Sequence, residues 1–121
     1  MSMEYQVERK ENSIALISVR GRIVGEYQLV PLTEEVDELL EDQYRHIIFD
    51  LSQLEFMTSA GLSFFLKTLT RVRHLDGEVI LVALNHLLND LLVTTKLNAV
   101  FIIEPDEEAA MHYLKETGAV H

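Results

Sequence analysis

Cysteine is absent from this sequence. That removes disulfides, thiolate nucleophiles and cysteine-ligated zinc, and it suits a reducing compartment. Basic residues are scarce as well: 10 Lys and Arg stand against 20 Asp and Glu, a formal net charge of -10. Such a surface repels phosphate backbones and anionic lipid, which argues against nucleic acid or a membrane surface as partner. Long apolar runs are also missing. The longest, Val79 to Leu84, falls far short of the roughly 20 residues a membrane helix needs. The opening Met1-Ser2-Met3-Glu4-Tyr5 lacks the basic and apolar regions of a signal peptide, so a cytoplasmic protein is expected. What is present is ordinary globular material. The 121 residues are 48% hydrophobic and 25% charged, enough for one domain, residues 1–121, with a core of its own.

Periodicity sets out the elements. Met3, Tyr5 and Val7 alternate with Glu4, Gln6 and Glu8, as in a half-buried strand. After a turn at Glu11-Asn12-Ser13, Ile14 to Val19 reads as a second strand, apolar on both faces, and the two are expected to form a hairpin. Gly21 and Gly25 then bracket an expected loop. From Thr33 the period becomes helical, with Leu32, Val36, Leu39, Leu40 and Tyr44 on one stripe and Pro31 and Thr33 as start signals. Ile47 to Leu51 follows as a short buried strand, then a helix from about Ala60 to His74 with Leu62, Phe65, Leu66 and Leu69 inward. Val79 to Ala83 is a strand. Asn85 can cap a helix whose core stripe is Leu87, Leu88, Leu91 and Leu92. Val100 to Ile103 is the last strand, Pro105-Asp106 opens a helix carrying Ala110, Tyr113 and Leu114, and the tail from Gly118 is expected to fray. Alternation of strand and helix favours parallel pairing by right-handed crossover, and the opening hairpin makes the sheet mixed. The fold class is therefore α/β, a mixed sheet of about five strands with about four helices.

No catalytic constellation accompanies these elements. The five histidines, at positions 46, 74, 86, 112 and 121, are dispersed without metal-ligand spacing, so structural or solvated roles are expected and no metal or cofactor. A serine at a strand–helix turn invites comparison with the nucleophile elbow of hydrolases. That turn needs glycine two positions either side of the serine, and Met57 occupies the first of those places. The single glycine after Leu51, with no lysine, likewise excludes a dinucleotide fingerprint and a P-loop.

What remains is Met57-Thr58-Ser59-Ala60-Gly61, two adjacent hydroxyls at a helix start. A hydroxyl there can accept a free backbone N–H and stabilise the helix by roughly 1 kcal/mol. The same geometry favours an anion, so a phosphate on Ser59 would be tolerated by the fold while altering its surface. On the helix that follows, Phe64 falls in a row with Ala60, Thr68 and Arg71 rather than on the inward stripe. It is expected outside the core as an interface anchor, or packed under the loop from Gly21 to Pro31.

These residues resemble the signature of STAS domains, in particular the single-domain bacterial anti-sigma-factor antagonists. The similarity is carried by Asp50-Leu51-Ser52, Leu54, Phe56-Met57 and Ser59-Ala60-Gly61-Leu62, with weaker matches at Gly21-Arg22-Ile23, Pro31-Leu32 and Glu107-Glu108-Ala109. The resemblance implies helices packed largely on one side of the sheet, no enzymatic activity, and a role in transcription regulation. The implied partner is an anti-sigma factor, often a serine kinase with a histidine-kinase-like fold. That kinase phosphorylates the serine of the motif, here Ser59 with Thr58 as alternative acceptor, and a phosphatase reverses it. Partner contact would fall on Thr58, Ser59, Ala60, Gly61, Phe64, Gly25 and Glu26. Two positions depart from the pattern: Thr58 stands where the family usually has aspartate, and Val24 where it usually has an acid, with Glu26 two positions on. A constitutive scaffold or transport-complex subunit is the alternative those departures favour.

Overall fold

The structure, a computed structural model, describes residues 2–120. Five strands lie in the sheet order β1-β2-β3-β4-β5. They are β1 (Met3–Arg9), β2 (Ile14–Ile23), β3 (His46–Met57), β4 (Glu78–Val82) and β5 (Ile102–Glu104). The β1–β2 pair is antiparallel and the other three pairs are parallel. Among the described residues there are four α-helices, α1 (Val30–Glu41), α2 (Ser59–His74), α3 (His86–Thr94) and α4 (Glu107–Glu116), with short 3-10 turns at Glu26–Leu29, leading into α1, and at Leu97–Ala99. The expected mixed α/β architecture is what the chain adopts.

The central strands are apolar on both faces because both faces are covered. Ile47 and Phe49 of β3 join a large core with Leu32, Val36 and Leu39 of α1, Phe65, Leu69 and Val72 of α2, and Leu88 and Leu92 of α3. Ile48, between them, points to the opposite face and packs with Ile14, Leu16, Ile80 and Val82 under Ala110 and Leu114 of α4. Three helices thus share one side of the sheet and α4 covers the other.

Two strands run further than their apolar segments suggest. β2 continues through Gly21 to Ile23, where a loop was expected, and β3 continues from Leu51 to Met57. The pairing advances by unequal steps: Ser18 faces Asp50 but Arg20 faces Gln53, and Gly21 faces Leu54 but Arg22 faces Phe56. Each step adds one unpaired residue to β3, one in the Leu51–Ser52 stretch and one at Glu55, while Gln53 keeps its partner Arg20, so the polar stretch is a twice-bulged part of the strand rather than its end. Gly21 has φ +96, and a Cβ there would stand 2.2 Å from the carbonyl oxygen of Ser2. Only glycine suits that place.

Helix starts follow local chemistry. α1 begins at Val30, with Pro31 in its first turn, and Thr33 is not a cap: its hydroxyl donates to the Leu29 carbonyl at 2.8 Å. Asn85 caps α3 by accepting the Leu88 N–H at 2.8 Å, and Asp106 caps α4 by accepting the Ala109 N–H at 2.8 Å. Of the stripe expected on α3, Leu88 and Leu92 are buried while Leu87 is largely exposed. A nine-residue helix has only a narrow inward face. The tail does not fray as expected over the described residues. Ala119 donates to the Leu114 carbonyl, Val120 is buried, and the Ala119 carbonyl accepts from His46 Nε2 at 3.2 Å; His121 lies outside the described residues. His46 itself is buried, and its Nδ1 accepts the Glu78 N–H at 3.3 Å. Burial lowers its pKa from the usual histidine value, with the bond to Ala119 and the charge of Glu78 opposing.

Candidate functional site

The turn between β3 and α2 is built by close packing on one side and hydrogen bonding on the other. Met57 ends β3 fully buried. The first turn of α2 passes so near it that a Cβ on Gly61 would lie 2.8 Å from the Met57 Cβ. Glycine at 61 therefore sets the approach of helix to strand. Thr58 has extended backbone, its N–H donates to the Ile23 carbonyl at 3.0 Å, and its hydroxyl accepts the Ala60 N–H at 3.3 Å. The Thr58 carbonyl takes the N–H groups of Gly61 and Leu62 at 3.0 and 3.3 Å. Thr58 is thus the cap, half-buried and engaged.

Ser59 is different. It is the first residue of α2 and exposed. The two neighbouring hydroxyls have separate roles: one closes the helix, the other faces solvent at its positive end. No acidic side chain lies in the first turn of α2, whereas Arg71, Arg73 and His74 complement the dipole at its last turn. The capping hydroxyl at 58 does the hydrogen bonding an aspartate would do, but leaves the helix start without a fixed negative charge.

Beside this turn stands the segment from Ile23 to Leu29. Gln28 clips it: its Oε1 accepts from the N–H groups of Val24 and Gly25 at 2.7 and 3.1 Å, and its Nε2 donates to the Arg22 carbonyl at 3.0 Å. Gly25 lies under the Tyr27 ring, close enough that a Cβ would stand 2.6 Å from Cε1. Tyr27 is 71% exposed, and Val24 and Val30 are exposed beside it in sequence. The Thr58–Ile23 bond joins this segment to the turn, so Gly25 and Glu26 belong to the same end of the molecule as Ser59, at the carboxyl ends of the parallel strands.

Phe64 does not stand outside the core. It is 7% exposed and packs edge-to-face with Phe49 and Phe65, ring centroids 6.0 and 5.2 Å away. Ala60, Phe64, Thr68 and Arg71 do share a face, as their helical spacing predicts. The 3-10 turn and α1 pack beside that face and bury Phe64, the packed arrangement under the preceding loop, while Ala60 and Arg71 stay accessible. The buried arc of α2 is accordingly rotated, and Leu66, expected inward, is 37% exposed. The exposed aromatic at this end is Tyr27. Periodicity could not find it, because a 3-10 turn of four residues is too short to show a pattern.

Between the 3-10 turn with α1 and the Ala60–Arg71 face of α2 runs a groove of about 370 Å³. Among the described residues there is no group of three or more His, Cys, Asp or Glu able to hold a metal ion, and no helix is long and apolar enough to cross a membrane.

A bulged mixed sheet with three helices on one face, and an exposed serine opening the second of them, defines a class of small α/β domains. The chain belongs to the STAS domain family, whose model matches residues 6–110. Its fold is similar to that of an anti-sigma factor antagonist from Mycobacterium paratuberculosis, at 23% identity and TM-score 0.79, covering 94% of this chain and 95% of that one. It is similar as well to TM1081 of Thermotoga maritima (20% identity, TM-score 0.81, 92% and 94% covered). The Bacillus cell fate determinant SpoIIAA in its phosphorylated form shares the fold at 17% identity and TM-score 0.72, over 91% of this chain and 99% of that one.

Proposed function

We propose that the chain, residues 1–121, acts as one non-enzymatic regulatory module, an anti-sigma-factor antagonist of the cytoplasm. Its partner is an anti-sigma factor with a histidine-kinase-like serine kinase fold, bound at the end of the domain that carries Thr58, Ser59, Ala60, Gly61, Gly25 and Glu26. The kinase transfers the terminal phosphoryl group of ATP to the Ser59 hydroxyl, ADP leaves, and the modified antagonist dissociates; a phosphatase restores it. Phe64 contributes from below, as the floor on which the binding surface rests.

The observation that carries this reading is the division of roles between the two hydroxyls. Thr58 Oγ1 is committed to the cap, which favours Ser59 over Thr58 as acceptor. Ser59 is exposed at a helix N-terminus, where added negative charge suits the domain's own dipole. A partner seated over it would instead meet about -1.5 to -2 of new charge on a chain already at -10. Trapping an unpaired charge in an interface costs about 3–5 kcal/mol, on the order of a hundred- to a few-thousand-fold in affinity. The acidic surface supports a protein partner over nucleic acid or membrane.

The alternative is a constitutive scaffold or transport-complex subunit, and the observation favouring it is threonine where the family usually has aspartate. Intact mass after incubation with the co-purified kinase and ATP decides. One added phosphate, abolished by Ser59→Ala and retained by Thr58→Ala, is expected; an unchanged mass with a kinase that binds the protein would assign the scaffold role.

A further inference from the structure

The groove beside α2 has features that the switch at Ser59 leaves unused. Its floor is apolar: the edges of Leu29 and Phe64 line it, 5% and 7% exposed, over a fully buried Val36, while Val30 stands 56% exposed on the rim. Along α2 it extends from Ala60 to Arg71, about 16 Å at the helical rise. At one end it is closed by an ion pair between Asp37 of α1 and Arg71 of α2 at 2.7 Å. One turn earlier Glu34 and Lys67 also line it, from α1 and α2. Both are exposed, and neither makes an ion pair among the described residues. The groove therefore has an acidic wall, a basic wall and an apolar bed.

We infer that this groove receives an amphipathic helix of the protein partner, one that sets apolar side chains on the bed, a cation toward Glu34 and an anion toward Lys67. The inference rests on the reading that the chain binds a protein. Both walls are helices whose backbone groups bond internally, so there is no strand edge for an extended peptide, whose own N–H and C=O groups would go unpaired. A helix satisfies its backbone and presents anchors at i, i+3, i+4 and i+7, a span of about 10 Å that fits within the length of the groove. A second copy of this chain would bring a surface of net charge -10 against the acidic wall. A small ligand with one charged group would answer only one of the two walls. Ser63 lines the groove and lies one helical turn from Ser59, so a helix seated here abuts the proposed switch.

The test uses the full chain, isotopically labelled, and two synthetic 18-residue peptides with leucines at i, i+3, i+4 and i+7. One carries lysines on the flank facing Glu34 and glutamates on the flank facing Lys67; the other has the flanks exchanged. Amide shifts at Val30, Thr33, Phe64 and Thr68 are expected with the first peptide, which should bind about fivefold tighter than the second. The double variant Glu34→Lys/Lys67→Glu, whose positions are exposed, should keep its melting temperature and reverse that preference. No shift up to about 1 mM peptide, shifts confined to another face, or equal affinity for both peptides would overturn the inference. Self-association abolished by Val30→Glu would assign the groove to a second copy and overturn it too. Neither peptide involves a phosphate, so failure here leaves the Ser59 reading standing, and failure of the mass test leaves this result unaffected.

Discussion

Thr58 and Ser59 are adjacent in the chain and opposite in use: the first spends its hydroxyl on the Ala60 N–H at 3.3 Å, the second opens α2 facing solvent. Removing the two hydroxyls should therefore have unequal effects. Thr58→Ala is expected to lose about 1 kcal/mol of stability, and Ser59→Ala to stay within about 0.5 kcal/mol of the parent. Urea denaturation of the two variants checks this, and equal losses would contradict the assignment of the cap.

Phe64 and Tyr27 form a second contrasting pair. Phe64→Ala removes a ring packed against Phe49 and Phe65 and should cost about 3–5 kcal/mol. Tyr27→Ala removes a ring that is 71% exposed and should leave stability within about 0.5 kcal/mol. In partner titrations it is the Tyr27 variant that should weaken binding, since an exposed aromatic beside the site is a typical anchor. A Tyr27 variant that binds like the parent would remove it from the interface.

Gly61 sets the spacing of the turn. Gly61→Ala places a Cβ 2.8 Å from the Met57 Cβ and 3.0 Å from its sulfur, an overpacking expected to cost about 1–3 kcal/mol. Removing the obstacle, which includes the Met57 Cβ itself, should recover part of it: the double variant with Met57→Gly should be less destabilised than the sum of the single changes. Simple additivity in denaturation midpoints would show that the contact is not the cause.

His46 predicts a pH dependence. Its Nδ1 accepts from Glu78 and its Nε2 donates to Ala119, so the fold binds the neutral ring. Its folded pKa is lowered by burial, so the unfolded chain takes up the proton first. The stabilisation is complete above the unfolded value of about 6.5 and is lost as pH falls below it. Falling pH also relieves the repulsion of an acidic chain, which acts in the other direction. The comparison that isolates the histidine is parent against His46→Gln at pH 7.5 and 5.5: the gap between their unfolding free energies should narrow at the lower pH. A constant gap would mean that the ring's titration is not linked to folding.

How much of this was legible beforehand depended on range. Asn85 and Asp106 were readable as helix starts because a cap is an interaction over three residues. The alternation of Met3, Tyr5 and Val7 gave β1 because one face of a hairpin strand is wet. The orientation of Phe64 was not readable, since it is decided by α1, some thirty positions earlier, leaning on α2. The second half of β3 was hidden for a related reason. Ser52, Gln53 and Glu55 look like a linker until β2 is laid beside them and shows that the pairing steps over the extra residues. At the site, the adjacent hydroxyls were visible as a pair, but which one capped the helix required the Thr58 backbone to be seen pinned to Ile23.

Beyond Asp50, β3 has outrun its β4 neighbour and is paired along its β2 edge alone. The stretch leading to Ser59 is thus a cantilever, and on its open side Asn85 acts as a peg, donating to the carbonyls of Leu54 and Glu55 at 3.1 and 3.3 Å while capping α3 with its other side-chain atom. A load applied at the tip is therefore felt first at that amide. Deuterium uptake at Leu88, whose N–H the same side chain holds, becomes a remote gauge of whatever presses on the serine.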